Sequence, residues 1–553
     1  MDKSNYDDLF KNFLAKSELI KIKSSLEYLN TLSLGGSGTI HLSYKTIEDE
    51  TRLQEFVFEI LNQRDKGYPF KIIIEDYLNN GGVQYKESYG LDKELLIQFN
   101  GKQYYTNRDS VINFKTKFPG KPQYLFGQLT NLKSFQKLNS DYYSRVIVIS
   151  DDSDFIFPTY ILDHKENLMK FDIENWHLSD SLMGIKVINV HAMFINLKIN
   201  NFRFRFYGVE NINAHIIDSL DLISDKEFKK ITYCIRLCFA FLSGKFYKSE
   251  ITYIFSEHND FNTVDQFEFQ LEKSSQISKL QLINPNLFFE TFECRTKEEK
   301  LKLEKYHKKF SPEVFSSFCE LIYSSTELQR TLELTVSASS NDDIVQKGAL
   351  YAVAIETITE HIKDANPNSF NPINDKPTWK NFRVELLQIL RTYSNKIDAS
   401  GIEILTKKIN SMNSPTNKDK LSKPFELYGI DLDENDLETL DHRNKFLHGG
   451  IPYENDYKTK QESSALKLHF LISSLVLKMI NYKGHFINVS GLHYLHNYES
   501  QEFTKRFEMA EFSKTLELLK KPNLTPEDLQ KIKNQLRAIN IIIEGANTIH
   551  IME

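Results

Sequence analysis

The sequence predicts an α+β multidomain protein, a β-rich N-terminal domain followed by an all-α helical bundle, from three observations. From about Gly38 to Tyr207 the chain reads as short apolar and alternating runs broken by turn signals, the mark of strands. From Pro312 onward apolar residues recur every three or four positions, the period of helices. Between the two regimes, Arg295–Lys309 carries seven basic residues (Arg295, Lys297, Lys300, Lys302, Lys305, Lys308, Lys309) against three acidic ones (Glu298, Glu299, Glu304). That run suits a solvated linker helix or, equally, a guide for RNA. The boundaries this implies are residues 1–310 for a sensor or regulatory domain with its closing helix and linker, 311–490 for the bundle and 491–553 for C-terminal helices.

A chain of 553 residues, 41% apolar and 12% aromatic, has material for two to four domains with large cores. Its formal charge of −6 provides no global basic field, so nucleic-acid contact must come from a local patch, which weakens a reading as a general DNA coat. Cys234, Cys238, Cys294 and Cys319 form no pairs two residues apart, which indicates neither zinc nor a disulfide framework. Cys234 and Cys238 lie one helical turn apart among apolar neighbours, as buried thiols do. The start Met1-Asp2-Lys3-Ser4-Asn5 lacks a charged-then-apolar leader, and no run approaches the roughly 18 apolar residues of a membrane span. A cytoplasmic protein without a membrane partner, metal or cofactor is the expectation.

In chain order, residues 8–30 can form an amphipathic helix through Leu9, Phe13, Leu19 and Ile20. Gly35-Gly36-Ser37-Gly38 lacks the Lys-Ser/Thr that follows in a P-loop and reads as a flexible turn. Strands are expected at Thr39–Tyr44, Glu55–Ile60, Phe70–Ile74, Glu94–Phe99, Gln123–Gln128, Arg145–Ser150, Phe155–Leu162, Ile185–Val190 and Asn201–Tyr207, forming a sandwich or barrel. Gly81-Gly82 and Asn100-Gly101 are tight-turn candidates. Asp151, Asp152 and Asp154 can hold Mg²⁺ at a strand end but fit an acidic turn better. Phe202-Arg203-Phe204-Arg205-Phe206 reads as a half-buried strand with its Arg side in water, a nucleic-acid stacking face being the alternative. A helix capped by Asp225 and ended by Gly244 closes the domain, followed by strands Glu250–Phe255 and Gln266–Leu271.

The bundle begins with helices Pro312–Glu333 and Asp342–Ile362, the second capped by Asn341 or Asp342. Tyr351, Ile355, Ile358 and Ile362 form its apolar stripe, and Ala349, Ala352, Val353 and Glu356 a neighbouring face. Trp379–Lys396 follows, with Phe382, Leu386, Ile389 and Leu390 inward. Asp431–Asn435 resembles a calcium loop, but Asp436 stands where glycine is needed and His442 where glutamate is. It reads instead as the acidic start of a helix that ends at Gly449. Tyr457–Ile480 is apolar nearly all round and must be buried in the bundle core, a dimer interface or both. Phe486–Leu492 is short and extended, and two helices fill the remainder.

The chemistry concentrates in Asp441-His442-Arg443-Asn444-Lys445-Phe446-Leu447-His448-Gly449-Gly450. With 14 Arg and 15 His in the chain, a bare Arg-x4-His pair arises by accident roughly 0.4 times. Requiring Asn after the Arg and Gly after the His lowers that to about one in a thousand such chains. Arg443 offers a planar fork suited to phosphate oxygens, and the imidazole of His448 can give or take a proton. Those two groups can drive RNA cleavage by the substrate's own 2'-hydroxyl without a metal. The opposing reading is structural, with Arg443 near the helix end, His448 beside it and Gly449 as left-handed terminator. His442, next to Asp441, reads as a structural or auxiliary residue and not the catalytic one.

Arg-Asn-x-x-x-His-Gly, set between helices and a long apolar one, resembles the Arg-x4-6-His signature of the HEPN superfamily over roughly residues 311–490. The long β-rich region and Asn-Tyr-Lys-Gly at 481–484 make the chain similar to the ApeA-type abortive-infection proteins. The resemblance implies a helical bundle that dimerises to form a composite cleft. It also implies a metal-independent ribonuclease that leaves a 2',3'-cyclic phosphate and a 5'-hydroxyl, acting on RNA, tRNA included, in defence against phage. His448 would be general acid/base, Arg443 the phosphate and transition-state stabiliser, Asn444 a positioning group and Glu356 the orienter of Arg or His. The N-terminal domain would receive a phage-derived trigger. The alternative is a non-catalytic bundle that binds nucleotide or protein through the same cationic pocket.

Overall fold

The computed structural model describes residues 36–45, 51–63, 68–75, 95–99, 102–106, 111–117, 124–134, 141–150, 155–163, 168–173, 188–209, 213–248, 250–259, 261, 264–271, 276–278, 280–283, 310–449, 457–483, 485–490, 525 and 549–551. The helix expected over 8–30, the two tight-turn candidates, Asp151–Asp154, Cys294, the basic run and, apart from Thr525, the C-terminal helices lie outside them. The chain divides into two compact units. One comprises Met1–Ala240, Lys245–Ile277 and Lys309–Glu320, and the other Phe241–Gly244, Ser278–Lys308 and Leu321–Glu553.

In the first unit the strands are β1 (Gly36–Lys45), β2 (Thr51–Gln63), β3 (Tyr68–Glu75), β4 (Leu95–Phe99), β5 (Lys102–Tyr105), β6 (Val111–Lys117), β7 (Tyr124–Leu129), β8 (Asn131–Ser134), β9 (Tyr143–Ile149), β10 (Leu168–Ile173), β11 (Ile188–Ile199), β12 (Phe202–Val209), β13 (Ala214–Ser219), β14 (Lys245–Phe246), β15 (Glu250–Ser256), β16 (Gln266–Leu271) and β17 (Gln276–Ile277). All but β14 and β17 join one antiparallel sheet in the order β10-β11-β12-β13-β9-β15-β16-β8-β5-β4-β1-β2-β3-β7-β6. The ladder is open among the described residues, with β10 and β6 at its ends, so it lacks the closure of a barrel. Gly36, Ser37 and Gly38 are not a turn. They extend β1 opposite Ile60, Glu59 and Phe58, because the long β2 offers them ladder partners.

The apolar run 155–162 is not a strand either. Pro158 opens a single helical turn, α1 (Pro158–Ile161), where its fixed φ suits the first helical position. β12 is half-buried as its alternation implies. Phe204 and Phe206 are buried, Arg203 is exposed and paired with Asp221 at 2.5 Å, and the Arg205 guanidinium lies 4.6 Å from the Phe194 ring centre. Helix α2 (Asp225–Ser243) buries Phe228, Ile231, Ile235 and Phe239, together with the thiols of Cys234 and Cys238. Its cap is Ser224 and not Asp225. The Ser224 hydroxyl accepts from the Glu227 N–H at 3.3 Å, which leaves Asp225 to pair with Lys229 at 2.8 Å.

Arg145 and His215 are among the charged or titratable groups buried in this unit. Arg145 on β9 faces Asp218 on β13, their positions in register, and donates to it from Nε at 2.5 Å and Nη2 at 2.8 Å. The Tyr207 hydroxyl donates to the same carboxylate at 3.1 Å. Burial opposes the Arg145 charge most strongly, and the Asp218 charge, Tyr207 and the hydrogen bond to Asp218 together more than offset it. His215 hydrogen-bonds the Ile156 carbonyl through Nε2 at 2.8 Å and is ringed by Phe155, Phe206, Phe239 and Tyr247. Burial pulls its pKa down to about 3.

In the second unit and across its border the helices are α3 (Pro312–Ser324), α4 (Thr326–Ser339), α5 (Ile344–Ala365), α6 (Pro367–Phe370), α7 (Lys376–Thr392), α8 (Ala399–Ser411), α9 (Asn417–Leu427), α10 (Glu434–Leu447) and α11 (Tyr457–Met479). The single helix expected over Pro312–Glu333 breaks at Ser325, whose hydroxyl caps α4 by accepting from the Leu328 N–H at 3.2 Å. α5 is capped by Asp343, one residue beyond the expected positions. Its stripe Tyr351, Ile355, Ile358 and Ile362 is buried. α8 and α9 answer to no sequence expectation. On α7, Phe382 and Ile389 are 40% and 56% exposed and not inward. Strand β18 (His485–Ile487) pairs antiparallel with β19 (Ile549–Ile551), so the last described residues are extended and not helical.

α11 is buried along most of its described length, including Leu466, Leu468, Leu471, Ile472, Leu475 and Val476. Among its buried polar residues is His469, 2% exposed, whose ring meets Tyr351 edge-on at 5.4 Å and whose Nδ1 has no partner among the described residues. Burial first, and then the Lys347 charge, lower its pKa to about 3. A folded pKa below the unfolded one means that the unfolded chain takes up the proton first. Each of His215 and His469 thus contributes stability that is complete above about 6.5 and lost as pH falls towards about 3. At ~1.4 kcal/mol per unit the loss is on the order of a few kcal/mol for each ring. In a pH series of thermal melts, His469→Leu should flatten the fall of Tm between pH 6.5 and 4. An acid limb identical to the wild type's would refute the assignment.

Candidate active site

The motif sits on α10, and the chain fixes both ends of that helix. Asp433 caps it, accepting from the Asp436 N–H at 2.7 Å, while the Asp436 carboxylate accepts from the Asp433 N–H at 3.0 Å. The cap is tied to α11, where Lys467 reaches Asp436 at 2.8 Å. Burial holds the Asp436 carboxyl above the usual range despite that cation. At the other end His448 is the cap residue, its N–H donating to the Asn444 carbonyl at 3.1 Å, and Gly449 at φ +67° turns the chain left-handed.

Arg443 points into the fold. Its Nε donates to Glu356 Oε1 of α5 at 3.1 Å, Nη2 lies 3.1 Å from the same oxygen, and Nη1 donates to the Leu440 carbonyl at 2.8 Å. The Arg443 side chain is 9% exposed, whereas that of Glu356 is 41% exposed. The expected partnership of Glu356 with the motif arginine is therefore made, and it bridges 87 positions of sequence. The arginine itself is a buried fork with three of five N–H groups engaged, not a free cation on the surface.

His448 and Asn444 lie outside that contact. Both are exposed, and their four-residue spacing sets them on one side of the helix. Arg443 and His448 are five apart and diverge by about 140°. The carboxylate and the guanidinium are thus brought together, while the imidazole and the amide stand at the open helix end. His442 lies 3.7 Å from Glu438, one turn back.

The contact that sets α10 against α5 was not legible beforehand. Phe446 is 1% exposed and lies over Gly348, where an added Cβ would come within 2.4 Å of its ring. Gly348, Ala352 and Glu356 recur every fourth residue and share one face, so the close approach uses Gly348 in place of Ala349, and Val353 is left 38% exposed. Glycine followed by alanine and then an acid at helical spacing was the available signal. Gly348→Val should wedge the helices apart, costing about 1–3 kcal/mol and loosening the Glu356–Arg443 pair. A denaturant midpoint unchanged from the wild type, with Val353→Ala as the exposed control, would show that the contact tolerates bulk.

A concavity of about 440 Å³ on α5 is lined by Glu327, Thr357, Glu360, His361, Asp364 and Ala365. No motif residue lines it, and its acidic lining has the wrong sign for a phosphate. Among the described residues no group of three or more His, Cys, Asp or Glu is placed to hold a metal ion, and no helix is long and apolar enough to cross a membrane. Compared with protein-family models, curated proteins and solved structures, the chain matches none of them.

Proposed function

We propose that the protein is a metal-independent RNA endonuclease of the HEPN type, in which the helical bundle carries the chemistry and the β-rich unit regulates it. The observation that carries this reading is the Glu356–Arg443 ion pair, which joins the motif arginine to the acid chosen on sequence grounds as its orienter. Holding a guanidinium in place in the folded protein means that little reorganisation is needed when phosphate charge builds up. His448 then removes the 2'-hydroxyl proton as the 2'-oxygen attacks phosphorus. The bond to the 5'-oxygen breaks, and that oxygen takes a proton, leaving a 2',3'-cyclic phosphate and a 5'-hydroxyl. Asn444, on the side of His448, positions the phosphate. Because Arg443 and His448 diverge on one helix, a second subunit supplies the complementary half of the cleft. An RNase of this kind, with tRNA among its candidate substrates, fits a cytoplasmic antiviral role by growth arrest, released by a phage-derived trigger at the N-terminal unit.

A second reading has its own observation. The engagement of three Arg443 N–H groups within the fold suits a bundle that binds nucleotide or protein and cuts nothing. Incubating purified protein with total RNA in excess EDTA separates the two. Fragments ending in cyclic phosphate support the enzyme, and intact RNA with infected-cell lysate added supports the binding module.

A further inference from the structure

Helices α7 and α8 bury no residue at all, whereas α4, α5, α9 and α10 each bury several. They form a hairpin whose base is closed by Asn413, which accepts from the Ile373 N–H at 2.7 Å and donates to the Ile373 carbonyl at 2.9 Å. Both are amphipathic, yet Phe382, Ile389, Tyr393, Ile404 and Met412 remain 40–56% exposed. The hairpin is also basic. Lys376–Met412 holds seven Lys and Arg against three acidic residues, in a chain whose total charge is −6.

The charge complement lies on the same bundle. Asp431–Asp441 holds six acidic residues and no Lys or Arg, of which Asp431, Asp433, Glu434, Glu438 and Asp441 are exposed. Leu427, just before it, is 45% exposed and supplies an apolar edge. We infer that the α7–α8 hairpin of one copy docks on the acidic α9–α10 surface of a second copy, and reciprocally. Such a contact is two-fold and closed, so it yields a dimer and not a fibre. Pairing hairpin with hairpin would set like charges together. RNA would satisfy the lysines but leave Ile389, Ile404 and Met412 in water. The docking brings the partner's cations to the helix that carries Arg443 and His448, and it stands whether or not the bundle cuts RNA.

Sedimentation equilibrium at micromolar concentration tests it with the full chain. The wild type should run near twice the 64.7 kDa chain mass. Lys380→Glu with Arg391→Glu, and separately Phe382→Ser with Ile389→Ser, should weaken dimerisation at least tenfold. All four positions are exposed, and circular dichroism checks that the variants fold. Adding Glu434→Lys and Glu438→Lys to the first pair should restore the dimer by exchanging the charges. A wild type at single-chain mass, a dimer indifferent to both pairs or a failed charge exchange overturns the proposal. So do hairpin variants that lose RNA retention on a filter while keeping the dimer mass, which would make the hairpin a nucleic-acid arm.

Discussion

His448→Ala should lower the rate of RNA cleavage in EDTA by ~10²–10⁴-fold, the usual contribution of a positioned general acid or base. The same substitution should leave the unfolding midpoint where it is. His448 is exposed at the helix end, and its ring makes no hydrogen bond among the described residues, so only the chemistry depends on it. Arg443 cannot be tested as cleanly. Arg443→Ala removes the partner of Glu356 and of the Leu440 carbonyl, so lost cleavage would be mixed with a loosened α5–α10 contact. Single-turnover rates on a labelled RNA, with the ends of the products identified, give the comparison. Undiminished cleavage by His448→Ala would move the proton transfer to another group.

Asp218→Ala should destabilise the N-terminal unit by about 3–5 kcal/mol, because it strands a buried cation. Arg145 is 1% exposed and makes a two-point contact with that carboxylate from the neighbouring strand. Removing the acid leaves the guanidinium without its counter-charge and the Tyr207 hydroxyl without its acceptor. Urea unfolding measures the loss, and a change below about 1 kcal/mol would contradict the argument, since exposed pairs are worth that little. Replacing both members by apolar residues, Arg145→Met with Asp218→Leu, should recover much of it, as no charge then remains to be desolvated.

The residues that were legible in the sequence are those whose environment is set by neighbours in the chain. The alternation of β12, the stripe of α5 and the Asp433–Gly449 helix follow from local period and capping chemistry. β13 was missed because all six of its residues are buried, Asp218 included, so no polar–apolar alternation marks it. Ser224 and Asp343 are caps that stand beside other good caps, and only the geometry of the following N–H groups chooses among them. On α7 the stripe was read correctly as apolar and wrongly as inward, since period tells which residues share a face and not whether anything covers it. At the site, Arg443, Asn444 and His448 follow from the motif and Glu356 from its small neighbours. That Arg443 would be buried depends on Gly348 and Phe446, 98 residues apart, which no local signal joins.

The order of strands around β9 bears on how the protein is made. β9 lies between β13 and β15, so both its neighbours come later in the chain, the second ending at Ser256. At ~5–20 residues per second, a ribosome takes roughly 5–20 s to pass from the end of β9 to the end of β15. Until β13 has been made, at Ser219, Tyr143–Ile149, with Val146, Ile147, Val148 and Ile149 in a row, is a β-prone segment with neither neighbour strand in place. Arg145 is its single charge, and so the residue whose burial later requires Asp218 is also the one that guards the nascent strand against aggregation.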